Sequence, residues 1–160
     1  MSSETHTGRR TGTGAGLADW QAGVIGGLVG GAVMGAMITV MMRPVIVGAI
    51  PALYGLAPPP NGLAGWVVHM SHSAVLGVVF AAILSGGLAS YGHSVGASTV
   101  AGLVYGVVLW AVLAALVMPI WLGAVGFANA PPFPNFALPG SLPAHAVYGL
   151  VLGVLYPFLR

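Results

Sequence analysis

Residues Leu63 to Leu84 read LAGWVVHMSHSAVLGVVFAAIL. The run is apolar enough and long enough to cross a bilayer core, which takes about 20 such residues. Its first turns nevertheless carry His69, Ser71, His72 and Ser73. In hydrocarbon every polar atom needs a partner, so polar groups inside a span mark packing or function. The stretch therefore predicts a membrane helix, and the question of function turns on what its imidazoles meet.

The rest of the chain agrees with a membrane location. Hydrophobic residues make up 58% of the 160 positions and charged residues 4%, where a soluble domain carries about 25% charge. The mean hydropathy is +0.97. The length leaves room for about four spans of 20 residues with their connections, in one domain. The net charge of +2 rests on Arg9, Arg10, Arg43 and Arg160 against Glu4 and Asp19. Arginines so placed flank hydrophobic segments and set topology; they form no nucleic-acid patch. The chain has no cysteine, which removes disulfides, thiolate metal sites and cysteine nucleophiles.

The polar, Ser/Thr/Gly-rich residues 1–18 are expected to be a disordered tail, followed by a four-helix membrane domain over 19–160. The first span is predicted over about 20–42, where Arg43 and Pro44 stop it. Within it Gly23, Gly27, Gly31 and Gly35 recur every four residues, with Gly26 and Gly30 in an adjacent row. This glycine zipper leaves one face nearly bare, so that another helix can approach closely. Residues 45–56 are apolar but too short to cross, and Pro51 interrupts them; an interfacial or re-entrant piece is expected, closed by Pro58-Pro59-Pro60-Asn61-Gly62. Further spans are predicted over about 63–84, 95–118, ended by Pro119, and 143–159. An apolar, proline-rich loop with Phe127, Phe133 and Phe136 joins the last two. Tyr105 and Tyr148 precede glycines and are expected to hydrogen bond across helix contacts. The segments at 76–84, 105–113 and 148–156 share an aromatic or Leu, a Gly and an apolar triplet, a pattern too common in such helices to carry an argument by itself.

The fold class is thus all-α, a polytopic bundle of four transmembrane helices with two apolar outer loops. Four spans place both termini on one side. The arginine distribution puts that side in the cytoplasm of a cell-membrane protein, with the two long loops outside. Spans two and four then both begin on the outer side. This gathers His69, His72 and His145 at similar depth, with Met118 ending the third span at the same level.

Imidazole and thioether are ligands for copper, and two His, or His with Met, form an axial set for haem iron. Cofactor binding at His69, His72 and His145, with Met118 as a metal ligand, is one reading of this histidine cluster. The other is structural, with His and Ser bonding across helices and Met filling space. Paired carboxylates are missing from the spans, and no GxSxG turn accompanies the serines, so acid–base and serine-hydrolase chemistry are not expected and no catalytic residue is assigned.

The glycine-rich first helix (Gly23 to Gly35), a His near the start of the second (His69 or His72) and the closing His145-Ala146-Val147-Tyr148-Gly149 resemble a loose group of small four-span membrane proteins of prokaryotes, haloarchaea among them. The resemblance implies the four-helix architecture and brings no activity with it. The expected function is that of a non-enzymatic accessory or assembly subunit, partnered by the bilayer and by other membrane subunits or a second copy of the chain. The alternative is a haem- or copper-binding redox or metal-handling protein. The third class is small-solute or proton transport.

Overall fold

The computed structural model describes residues 16–160. It contains four long helices, α1 (Asp19–Met41), α2 (Gly62–Gly86), α3 (Val95–Ala124) and α4 (Ser141–Leu159), each long and apolar enough to cross a membrane. No strand occurs among the described residues. The protein is an all-helical, multi-pass membrane protein. Most of the polar tail lies outside the described residues; at its end the Leu17 amide donates to the Leu159 carbonyl (2.9 Å), tying the start of α1 to the end of α4.

What faces outward and what faces inward is reversed relative to a soluble bundle. Val29 and Val33 of α1, Val67, Val75 and Ile83 of α2, and Val100, Val104 and Val108 of α3 are exposed. The buried positions of α1 are mostly glycine, together with Ala22, Met34 and Ile38. Lipid-facing aliphatic side chains cost nothing in hydrocarbon, so close backbone packing holds such helices together. Along the α1–α2 seam a methyl group on Gly27 would stand 3.0 Å from the Gly77 Cα, and one on Gly23 would stand 2.8 Å from the Ala81 Cβ. The α3–α4 seam repeats this, with a methyl on Gly153 only 3.1 Å from the Gly102 Cα. The helix α1 also lies against α4, where Gly26 meets Leu152 and Gly30 meets Tyr148. By contrast the backbones of α2 and α3 stay apart. Side chains bridge them: the Tyr105 hydroxyl donates to the Leu76 carbonyl (2.8 Å) and its ring packs on Phe80.

Two prolines that should break helices are accommodated by the loops. Proline cannot donate to the carbonyl four residues before it. For Pro51 that carbonyl is Val47, and the Asn61 amide donates to it instead (2.7 Å). For Pro119 it is Ala115, and the Asn135 amide takes the place of the missing donor (2.9 Å). The expected end of the third span at residue 118 is therefore corrected. A run of wide turns, Trp110–Val117, leads into the proline and the helix continues to Ala124. The interrupted apolar piece after α1 is likewise helical over Val45–Ala49 and Ile50–Ala52. It rests on α2, where Gly65 leaves room for the Ile46 backbone. Asn61 caps α2 by accepting from the Ala64 amide (3.0 Å), as N-cap residues do.

The seams also define an internal repeat. A shift of 75 residues superposes the roles of Gly27 and Gly31 on Gly102 and Gly106, and brings Pro44, Gly48 and Ala49 onto Pro119, Gly123 and Ala124. In the second helix of each half a shift of 76 residues brings Val75-Leu76-Gly77-Val78 onto Val151-Leu152-Gly153-Val154, Phe80 onto Tyr156, and His69 onto His145. The register differs by one helical turn from the sequence pattern, which set Gly77 against Gly149. Backbone contacts decide it: Gly77 packs on Gly23 and Gly27 as Gly153 packs on Ser98 and Gly102. Two copies of one helical hairpin, joined through Ala89–Gly92, make the bundle.

Candidate functional site: a cavity at the loop end

The ends of α1 and α3 and the starts of α2 and α4 meet at one end of the bundle, beneath the two long loops. There they line a partly open cavity of about 760 Å³, bordered by His69, His72 and His145 together with Met34, Met42 and Met118. It extends between α2 and α3 as far as Leu76 and Leu109. Tyr54, Asn129, Asn135, Ser141 and Tyr148 add polar groups, and among the described residues no charged side chain lines it. Apolar pockets of 300–1,000 Å³ with a few convergent polar groups are the usual form of a small-molecule site.

Each histidine is anchored through one ring nitrogen. His69 is buried, and its Nε2–H donates to the Gly31 carbonyl of α1 (2.9 Å). Gly35 makes this possible: a methyl there would lie 2.6 Å from the Trp66 indole and 3.1 Å from the His69 Cδ2. Trp66 in turn stands edge-on to the imidazole. His145 donates from Nδ1 to the Ser141 carbonyl one turn earlier (2.8 Å). His72 shares a hydrogen bond of 2.7 Å between its Nε2 and the hydroxyl of Tyr54, an exposed residue of the first loop. In a neutral ring these bonds place the proton on His69 Nε2 and on His145 Nδ1, which makes His69 Nδ1 and His145 Nε2 acceptors. No protein group among the described residues pairs with either.

The tyrosines hold the cavity floor. Tyr148 donates to the Ser73 carbonyl (2.7 Å), and Ser73 Oγ donates to the His69 carbonyl (2.8 Å). With Tyr105 on Leu76, they satisfy three polar groups that would otherwise sit unpaired in an apolar interior. Above, Trp121 donates from its indole nitrogen to the Leu53 carbonyl (2.9 Å), at the end of the short helix of the first loop, and so links that loop to the end of α3.

The structure thus brings together at one cavity His69, His72, His145 and Met118, all singled out in the sequence. Of the glycines, Gly23, Gly27 and Gly31 lie in the α1–α2 seam, whereas Gly35 makes room for a ring. Among the described residues no group of three His, Cys, Asp or Glu side chains is arranged to hold a metal ion. Tyr54, Asn129 and Asn135 carry no periodic signal, because they reach the site from loops; Trp121 and Ser141 lie in the end turns of α3 and α4, beyond or at the edge of the predicted spans. The one signal in the loops is an aromatic or amide side chain where charge is almost lacking. No family model, curated protein or solved structure matches the chain.

Proposed function

We propose that the protein is a non-enzymatic accessory subunit of a membrane complex whose contribution is to hold a small molecule in the loop-end cavity. The observation that carries this reading is the cavity itself, about 760 Å³ with three anchored imidazoles and, among the described residues, no charged side chain on its wall. The acidic Asp19 lies far from it, paired with Arg160 (3.1 Å) at the opposite end of the bundle. The arginine positions favour termini in the cytoplasm of a cell-membrane protein, so the cavity faces outward. The bare α1 face, read as a glycine zipper, serves packing within the chain, leaving the valine-rich outer faces for lipid or partner subunits.

A second reading is copper held by His145 and the thioethers. It is favoured by Met34, Met42 and Met118 on the same wall and by the Nδ1 bond of His145 to a backbone carbonyl, which fixes the ring and leaves its other nitrogen to a metal. Haem fits less well. Its two carboxylates would find no Arg or Lys on the wall, and the open nitrogen of His69 is Nδ1, which lies beside its own Cβ and hinders a macrocycle.

Mildly purified protein tests both readings. Organic extraction followed by mass spectrometry is expected to release a stoichiometric neutral lipophile. A colourless, metal-free protein that releases nothing and binds no added lipophile would refute the first reading. Copper retained at one equivalent and lost in His145→Ala would favour the second.

A further inference from the structure

We propose that the cavity takes an uncharged lipophile with a hydroxyl head group, an alkylated phenol or hydroquinone in chemical class, drawn from the bilayer through the gap between α2 and α3. The inference rests on the reading of the cavity as a ligand site and names what enters it.

The donor and acceptor inventory of the wall gives the head group. The donors on the helix-borne floor of the cavity are engaged: His69 Nε2–H is on Gly31, His145 Nδ1–H is on Ser141, Tyr148 is on Ser73, and Ser73 Oγ is on the His69 carbonyl. The side chains of Asn129, Asn135 and Ser141 add amide and hydroxyl groups at the loop side. On the floor two imidazole nitrogens, His69 Nδ1 and His145 Nε2, have no partner among the described residues. A ligand that offered only acceptors would leave both unmatched, whereas a hydroxyl donates to either. His69 and His145 hold corresponding positions in the two repeats but are anchored through different nitrogens, so the free acceptor is Nδ1 in one and Nε2 in the other, and each can take one hydroxyl of a phenol or hydroquinone.

The wall chemistry and the route give the body of the ligand. With no Arg, Lys, Asp or Glu among the described residues of the wall, a charged head would lose its hydration without an opposite charge there to replace it. Along α1, both neighbouring helices are sealed by glycine contacts, but α2 and α3 stay apart. The cavity enters that gap between Ser73 and Leu76 on one side and Leu109 and Leu113 on the other. An alkyl tail lying there meets the side chains of Leu76, Leu109 and Leu113 and continues into lipid, so the ligand need not cross water.

The test uses the full chain in lipid nanodiscs, titrated calorimetrically with 2-decylhydroquinone kept reduced and with its dimethyl ether, which has nearly the same shape but no donor. The hydroquinone is expected to bind saturably and at least tenfold more tightly than the ether, about the effect of losing one buried hydrogen bond. In His145→Leu the ratio should fall but stay above one, because His69 still accepts, and in His145→Gln, which keeps an acceptor, part of the loss should be recovered. Equal binding of both compounds to the unmodified protein would overturn the hydroxyl assignment while leaving the cavity a ligand site. If neither compound binds protein that retains its helical signature, the ligand-site reading fails as well. The contrast in the unmodified protein decides the matter even where a variant does not fold.

Discussion

Replacing Gly77 by alanine puts the seam geometry to a quantitative test. The added methyl would point into the backbone of α1, closer to the Gly23 carbonyl oxygen than van der Waals contact allows, and 2.9 Å from the Gly27 Cα. Ordinary carbon contacts lie at about 3.5–4.0 Å, so the helices must part by roughly 0.6–1 Å at this level. Neither obstructing group is a side chain that could rotate away. Inserting a methyl into so close a contact costs about 1–3 kcal/mol. Gly86, in the last turn of the same helix, provides the control, because a methyl there meets nothing within 4 Å. Alanine at that position should be neutral or stabilising by up to about 1 kcal/mol, from helix propensity alone. Reversible unfolding in mixed detergent and denaturing micelles measures both variants. The difference expected is at least about 1.5 kcal/mol, with Gly77→Ala the weaker. Two variants of equal stability would refute the claim that α1 and α2 meet backbone to backbone.

Three further outcomes are expected. Tyr148→Phe removes the interhelical bond its hydroxyl donates to the Ser73 carbonyl, which α2 already pairs within its own backbone, and should lower stability by about 0.6–1.5 kcal/mol in the same unfolding assay. Pro119→Ala restores an amide able to reach the Ala115 carbonyl, so the Asn135 amide loses its place; its hydrogen exchange should quicken at least about tenfold, and unchanged exchange would contradict the strap role of the second loop. Gly35→Ala crowds Trp66 and the His69 ring together, and should shift the tryptophan emission while leaving helix content intact.

The four spans were legible because a bilayer imposes a length and an apolarity that few other folds demand. Spans two and four open on the same side, and that alone sufficed to place His69, His72 and His145 at one depth. The helical continuation past Pro119 was not legible. Whether proline ends a helix depends on what becomes of the carbonyl it strands, and here the replacement donor is Asn135, in the loop beyond the helix end. The repeat was half visible. Glycines recurring every four residues make neighbouring registers look alike, so Gly77 could be set against Gly149 as readily as Gly153 until the backbone contacts distinguished them. The pairing of Tyr54 with His72 left no periodic trace, since it joins a loop to a helix.

The repeat gives one position a meaning that neither half shows alone. Residues 30 and 105 are counterparts, glycine in the first copy and tyrosine in the second. Gly30 lets α4 come in until the Tyr148 ring and backbone touch it, whereas Tyr105 props α2 at arm's length with its hydroxyl on Leu76. A duplicated hairpin would have closed on itself symmetrically, with two equal flanks. A single divergence, side chain present or absent, instead leaves one flank shut and the other ajar, so the doorway into the protein is written as a difference between two copies of the same helix.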